Sequence, residues 1–430
     1  MNKIIALIYL FLLFSISCVE NEVHPRKTSN NNNDEMKNPF ILNHKLYKIK
    51  KDKKWGFCNK EGKIIINPIY LDVQEFSEGL VGAQNSGGKY GYIDDSGNIL
   101  IEFKYDWVKG FKEGYAYVRH NKKAGYIDKK GNPLTNFIYK SGYSFSEGFA
   151  CVIKYNDQYG VLDTDKYGFI DTTGSLIIPF IYSANHIIGT LDEPIDYGFK
   201  SGLVSVFDPE IQKYGYINKR NEMVISPQYD NVKPFFGNYA IAIMKTEEAY
   251  TFREGVIDKT GKWILEPKYY YRTRLQYINK ELWITVNNGS KMAVLNEKGK
   301  PIIDFKYYNI GPFTEGLASA AASKAGYTKY KYMQGYIDMK GNIVIEPQFY
   351  DPGVFINGIA VCAVYDKPND SFKYGYINKK GEFIIAPQYD YAYDFDANGI
   401  AMVQMGEDKY RPDWFGYINT SGEFIWQKDK

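Results

Sequence analysis

The stretch Lys373–Val403, "KYGYINKKGEFIIAPQYDYAYDFDANGIAMV", closely echoes Lys213–Ile243, "KYGYINKRNEMVISPQYDNVKPFFGNYAIAI", and weaker copies run through most of the 430 residues. A period of this size constrains the fold more than composition does, because a tandem unit of a few dozen residues marks a stacked or radial repeat architecture. The copies begin at Trp55-Gly56, Tyr90-Gly91, Ala124-Gly125, Tyr159-Gly160 or Tyr167-Gly168, Tyr214-Gly215, Glu254-Gly255, Met292-Ala293, Gln334-Gly335, Tyr374-Gly375 and Phe415-Gly416. Successive glycines lie 34 or 35 residues apart early in the chain and about 40 apart later, which makes about nine full units and a final half.

One unit can be read physically. "GYIDDSGNILI", Gly91 to Ile101, is two short extended runs joined by Asp-Ser-Gly. The Gly of such a loop supplies the positive φ that a hairpin turn requires. "NKKG", "DKKG", "DKTG" and "DMKG" repeat that chemistry, with a short Asp or Asn side chain placed to cap the turn backbone. The Pro of "INP", "SPQYD" and "APQYD" has no amide hydrogen, so it should end a strand or lie where no ladder partner exists. A third extended piece follows, and a fourth after "SEG". Three or four short strands cannot bury a face alone, so each unit must be stabilised by stacking on its neighbours. Composition agrees: 40 Tyr and 17% aromatic residues suit pleated, half-buried strands.

The pattern resembles the bacterial WG-repeat family, whose Trp-Gly pair is complete only in "KKWGFCNKEGKIIINP", at Trp55 and Gly56. Elsewhere the aromatic is Tyr or Phe, as at Tyr90-Gly91, Tyr214-Gly215, Tyr374-Gly375 and before Gly416, or is replaced, as before Gly125, Gly255 and Gly335. The resemblance implies an all-β fold of tandem repeats. Two arrangements follow: an open curved array, which more than nine unequal units favour, or a closed propeller-like ring, for which four to eight blades are typical. In the open array the last half unit, "WFGYINTSGEFIWQKDK", would act as a terminal cap whose charged tail protects an exposed edge. The family is a repeat architecture rather than a chemistry.

The N-terminus is a separate object. Met1-Asn2-Lys3 is a short positive region and Ile4 to Phe14 an apolar run broken only by Tyr9. That run is shorter than the roughly 20 residues a membrane-spanning helix needs, and it fits a secretory signal. "FSISC", Phe14 to Cys18, resembles the lipobox of bacterial lipoproteins, with Ser17 and Ile16 in acceptable places and Ser15 where leucine is usual. The resemblance implies a signal peptide over 1–17, lipidation of Cys18, and a bacterial envelope protein held to a membrane by its N-terminal lipid. Val19 is not the aspartate resembling an inner-membrane retention signal, which points to the outer membrane. Residues 18–40, with an Asn tetrad at Asn30–Asn33, are too polar to offset ordering entropy and read as a flexible tether. The repeat domain then occupies 41–430.

Chemistry-bearing residues give no unique constellation. Cys58, Cys151 and Cys362 fall at apolar strand positions and read as small buried hydrophobes. His24, His44, His120 and His186 are scattered, no pair has zinc-ligand spacing, and no metal or cofactor is expected. No phosphate loop or nucleophile elbow occurs. Glu78, Glu113, Glu147 and Glu315 precede Gly, and Asp72, Asp106, Asp230 and Asp390 lie near the Tyr of the second segment. A glycosidase needs two carboxylates in one cleft, whereas these recur in unit after unit, so they read as turn and capping devices. Lys plus Arg (53) nearly balances Asp plus Glu (50), which leaves no field for steering nucleic acid.

Most aromatics should be packing residues, since alternation buries every second ring. The least repeat-like run, "KYYYRTRLQY", offers Tyr269, Tyr270, Tyr271, Arg272 and Arg274 as a candidate binding surface. The expected function is a binding or scaffolding module for a protein partner. The alternatives are carbohydrate or peptidoglycan binding through exposed tyrosines and, last, a hydrolase.

Overall fold

In a computed structural model of the chain, described for residues 46–154, 165–183, 198–248, 251–322, 333–406 and 414–428, every regular element among the described residues is a β-strand. Cys18, the signal and tether regions, His24, His44, His186 and the Tyr159-Gly160 start lie outside the described residues.

The strands form ten small antiparallel sheets in chain order, over residues 47–70, 72–105, 107–139, 141–183, 203–229, 231–269, 270–307, 309–349, 350–389 and 391–427. They are numbered first to tenth below. The sixth and seventh merge, because the strand Trp263–Ile278 runs without a break from one into the other. The second sheet shows the common plan: a two-residue strand Asp72–Val73, then Leu80–Gln84, then the signature strand Tyr90–Asp94, then the edge strand Ile99–Tyr105. Among the described residues no sheet closes on itself into a barrel; the all-β tandem-repeat fold expected from the sequence is the fold of the chain.

The turns follow the residues. Gly97 (φ 88°), Gly261 (φ 83°) and Gly381 (φ 81°) take the left-handed place in the hairpin before the edge strand, and in the fifth sheet Asn221 (φ 60°) takes it instead. Asp94 Oδ1 accepts the amides of Ser96 and Asn98, which caps that hairpin from within. The signature glycine has another cause. A Cβ on Gly375 would lie 2.5 Å from the Ile385 carbonyl oxygen and 2.7 Å from Pro387 N, and one on Gly215 would lie 2.7 Å from Pro227 N. At Gly375 this close approach comes from the edge strand of the same sheet and not from a neighbouring unit. The pairing register shifts on both sides of this glycine, and the Pro lies in the unpaired stretch between Tyr376↔Ile385 and Tyr374↔Tyr389.

Sequence repeat and sheet are offset by half a unit. Trp55–Cys58 and Ile64–Tyr70 complete the first sheet, while Asp72–Val73 and Leu80–Gln84 open the second. The final half unit is accordingly no separate cap: Trp414–Asn419 and Phe424–Gln427 are the third and fourth strands of the tenth sheet.

Most sheets pack their hairpin glycine on the third residue of the preceding edge strand, as Gly97 on Ile66, Gly131 on Ile101, Gly341 on Ile303, Gly381 on Ile345 and Gly422 on Ile385. Gly62 of the first sheet packs on the edge strand of the tenth one residue earlier, pressed against the Ile425 backbone, much as Gly174 is pressed against the Leu134 carbonyl. Tyr47, Ile49 and Cys58 share a buried cluster with Ile400, joined by Tyr417, Ile425 and Trp426, and the Trp55 and Phe415 rings lie 6.2 Å apart. Of the two stackings, the open curved array and the closed ring, these contacts belong to the ring. An open array would leave the faces of its first and last sheets unmatched, whereas here the last sheet packs on the first through its edge strand and its turn, as neighbouring sheets do elsewhere.

Candidate functional site

The recurring carboxylates act between sheets. Ser77 and Leu80 exchange backbone hydrogen bonds around Glu78 (φ 53°) and Gly79 (φ 87°), a turn with two left-handed residues. This turn aims the glutamate at the next sheet. Glu78 Oε2 accepts the Gly114 amide at 3.0 Å; Glu113 accepts the amides of Glu147 and Gly148 at 2.6 and 2.7 Å; Glu147 accepts those of Ser201 and Gly202 at 2.5 and 2.9 Å; Glu315 Oε2 accepts the Gly358 amide at 3.1 Å. Lys129, Lys219 and Lys379, each in the hairpin of the following sheet, close ion pairs onto Glu78, Glu147 and Glu315 at 3.1, 3.3 and 2.9 Å. Asp72 acts within its own sheet, accepting Tyr90 Oη at 2.8 Å, whereas the other aspartates join neighbouring sheets: Asp106 accepts Lys89 Nζ at 2.6 Å from the second and the Lys122 amide from the third, and Asp230 accepts Lys213 Nζ at 2.7 Å from the fifth and the Lys245 amide from the sixth. Asp390 pairs likewise with Lys373 and the Gly406 amide. Both sets are engaged as turn and seam chemistry.

Tyrosine has an inter-sheet role too. Tyr92, Tyr126, Tyr216, Tyr336 and Tyr376, each just after its signature glycine, are fully buried and donate at 2.7–2.9 Å to the carbonyls of Lys109, Tyr143, Lys233, Gly353 and Tyr393 in the next sheet. Burial pushes all five phenols well above their usual range. The ring fills the seam and the hydroxyl satisfies a carbonyl, which accounts for tyrosine where phenylalanine would leave that carbonyl without a donor. Among signature aromatics, Tyr90 and Tyr374 are buried and donate to Asp72 and Asp351, Tyr214 packs 4.8 Å from Phe207, and Trp55 lies under the Lys50 ammonium at 4.7 Å. A Cβ on Gly125 would press on the Phe137 ring, and one on Gly255 or Gly335 on the Leu265 or Ile345 carbonyl.

Cys58, Cys151 and Cys362 are free thiols, buried, and burial pushes each above its usual range, Cys58 to about 12. Among the described residues no three His, Cys, Asp or Glu side chains come together to hold a metal ion.

The seam between the sixth and seventh sheets differs from the rest. In place of the aromatic, the residue before Gly255 is Glu254, only 2% exposed, whose Oε2 accepts the Thr273 amide at 2.6 Å. Burial raises this carboxyl above the usual carboxylate range, offset in part by Lys233 and the Thr273 and Arg272 amides. Arg272 has φ 96°, strained backbone for a residue with a side chain, and the buried carboxylate holds that bend in place. Past the bend, Arg274 Nη2 donates to the Ile310 carbonyl at 3.0 Å, and Gln276 exchanges hydrogen bonds with the Phe313 backbone, both reaching the eighth sheet. Of the five residues singled out in the sequence, Tyr269 is 6% exposed and belongs to the core, while Tyr270 and Tyr271 are 41% and 45% exposed. The Arg253 guanidinium lies 3.8 Å over the Tyr270 ring and the Lys233 ammonium 5.4 Å over Tyr271. Phe252, beside Arg253, is also exposed. Arg253, Lys233 and Glu254 were not among the candidates read from the sequence. The one available signal was the acid standing where every other unit has an aromatic, apolar or amide residue.

Nine segments of the chain, 55–90, 90–123, 125–159, 167–184, 214–245, 255–271, 294–320, 335–362 and 374–410, match a family described as "WG containing repeat", and together they cover more than half of it. No curated protein matches the chain in sequence. Among solved structures, the crystal structure of a eukaryotic initiation factor is similar in fold at TM-score 0.52 and 11% identity, over 90% of this chain and 96% of that one. Porphyromonas gingivalis dipeptidyl peptidase 4 matches at TM-score 0.42 and 12% identity, over 75% of this chain and 59% of that one, a likeness too low to bear on the fold.

Proposed function

This chain belongs to the WG-containing repeat family, and we propose that it works as a binding or scaffolding module for a protein partner, held in the bacterial envelope, at the outer membrane, by a lipid on Cys18. The observation that carries the binding reading is the patch of Tyr270, Tyr271, Phe252, Arg253 and Lys233. Exposed tyrosine and arginine held in fixed geometry are the residues that contribute most to protein interfaces, because they bury large area at small loss of rotamer freedom. A cation already lies against one face of each exposed ring, which favours a mixed apolar and charged contact over the open stacking platform a sugar would need. The engagement of the recurring glutamates as inter-sheet clamps supports a role other than catalysis.

The test is affinity capture from cell envelopes with wild type and with the Tyr270→Ala/Tyr271→Ala double variant, followed by mass spectrometry. The expected result is one protein retained by wild type and lost with the double variant. Identical capture by both, or variant-sensitive co-sedimentation with cell-wall polysaccharide, would overturn the protein reading.

A further inference from the structure

The edge strands carry a feature that the binding patch does not use. In five of the ten sheets the first two residues of the seven- or eight-residue edge strand are large apolar side chains open to solvent; Ile99 and Leu100, Leu176 and Ile177, and Ile343 and Val344 are all 42–51% exposed. The same pair recurs as Met223 and Val224 and as Phe383 and Ile384. Each pair directly follows its capped hairpin, and the Glu78–Lys129, Glu147–Lys219 and Glu315–Lys379 ion pairs join the glutamate turn of one sheet to the hairpin of the next. The pairs therefore lie at the same end of successive sheets and form a discontinuous apolar rim. Large aliphatic pairs recurring at one end of the fold, rather than single scattered residues, mark contact with a protein or a membrane.

Where the chain enters the ring decides between them. Tyr47 pairs with Cys58, next to the Asn59–Lys63 hairpin, and its hydroxyl reaches the Asp396–Gly399 turn of the tenth sheet. The segment that precedes Leu46 thus joins the ring at the rim end. The Tyr270 patch is at the other end, where the Tyr270 ring covers Gly289 in the Asn287–Met292 hairpin. The hairpin tips beside the five apolar pairs carry Asp95, Lys219, Arg220, Lys340, Lys379 and Lys380, and Lys219, Arg220 and Lys379 are already ion-paired with Glu147, Glu222 and Glu315, so attraction to anionic headgroups is not the main force.

We propose that this rim is a bilayer contact: the exposed aliphatic pairs enter the headgroup and acyl boundary, and the ring lies with its Tyr270 end turned away from the membrane. The proposal rests on the reading of Cys18 as the anchor for orientation, and on the edge-strand pairs alone for the contact itself. Burial of apolar side chains is the driving term, so the contact forms on zwitterionic vesicles and survives high salt.

The experiment places an environment-sensitive, thiol-linked fluorophore at Leu100→Cys, at Val344→Cys and, as the control on the opposite end, at Ser290→Cys. Lipidation consumes the Cys18 thiol, and the three other thiols are buried. The full-length chains are reconstituted in phosphatidylcholine vesicles containing a doxyl-labelled lipid, and each is repeated in a Cys18→Ala background with vesicles added from outside. The expected result is quenching at Leu100 and Val344 at least about two-fold greater than at Ser290, unchanged in high salt. Equal quenching at all three sites, or none at the rim, in chains that remain with the vesicles would overturn the rim contact and leave the anchor standing. Loss of the wild-type chain from the vesicles would sink the anchor reading, and rim quenching in the Cys18→Ala background then decides the contact by itself.

Discussion

Tyr47 Oη donates a 2.6 Å hydrogen bond to Asp396 Oδ2, joining residues 349 positions apart. Asn398 Nδ2 donates to the same tyrosine oxygen at 3.0 Å, and the Tyr47 ring lies 5.2 Å from that of Tyr417. Asp396 occupies, in the tenth sheet, the turn from which Glu78, Glu113 and Glu147 reach forward elsewhere. The closure is thus a variant of the ordinary seam, with a phenol in place of backbone amides.

Removing that phenol should open the ring at one place. Tyr47→Phe leaves the packing and takes away the donor to a buried carboxylate, a loss of about 1.5–3 kcal/mol for a hydrogen bond to a charged group. Urea unfolding of the variant against wild type measures the size. Limited proteolysis measures the place, with new cuts expected in both the first and tenth sheets together; cuts confined to one terminus would contradict the closure.

The glutamate clamps should be worth a similar amount each. Glu113→Ala leaves the Glu147 and Gly148 amides without their acceptor, and about 1–3 kcal/mol of stability should go with it. Glu113→Gln keeps one neutral acceptor and should lose less. Equal melting curves for wild type and Glu113→Ala would show that water replaces the carboxylate at no loss.

Gly375→Val separates a ring from an independent stack. The added side chain overlaps the Ile385 carbonyl and the Pro387 backbone, so the edge strand must move, at about 1–3 kcal/mol or more. In a ring the first and tenth sheets support each other, and the damage should appear as one cooperative transition at lower denaturant. Survival of the N-terminal sheets as a protected fragment, while 335–430 is digested, is the outcome that the closure does not allow.

Asp394 gives the fold a pH dependence of known sign. Its Oδ1 is buried without a donor, and burial raises its carboxyl from 3.8 to about 7 against a smaller opposing effect of the Val354 amide. The folded chain therefore holds this proton more tightly than the unfolded one. The group carries no penalty below about pH 4, and the penalty grows as pH rises to about 7 and is constant above, reaching at most about 4 kcal/mol. Asp394→Asn should be more stable than wild type at about pH 8 and little different at about pH 4. Stability curves that stay parallel across this range would exclude Asp394 as the source.

The anchor has its own test. Cys18→Ala should move the protein from the detergent phase to the aqueous phase of a Triton X-114 partition, and an unchanged distribution would count against lipidation.

How the repeats act on one another was only half legible. The hairpin glycines, the capping Asp and Asn residues and the unpaired Pro could each be read locally, because each answers a constraint met within a few residues of chain. Glu113 could be read as a turn residue, but that its side chain serves the turn 34 residues on could not. Such a bond depends on how far one sheet is rotated from the next. Tyr269, Tyr270 and Tyr271 are adjacent and chemically alike, and only the path of the shared strand Trp263–Ile278 buries the first and exposes the other two.

By itself the amino-acid order determined a β-hairpin unit, its repetition from about residue 41 onward and the dependence of each copy on its neighbours, since these follow from periodicity and turn chemistry. Tertiary structure decided where one sheet ends and the next begins, and that the tenth sheet meets the first. The physical reason is that closure is a sum of small rotations over ten seams. No single unit specifies that sum, and it becomes visible only where Gly62 reaches Ile425 and Tyr47 finds Asp396.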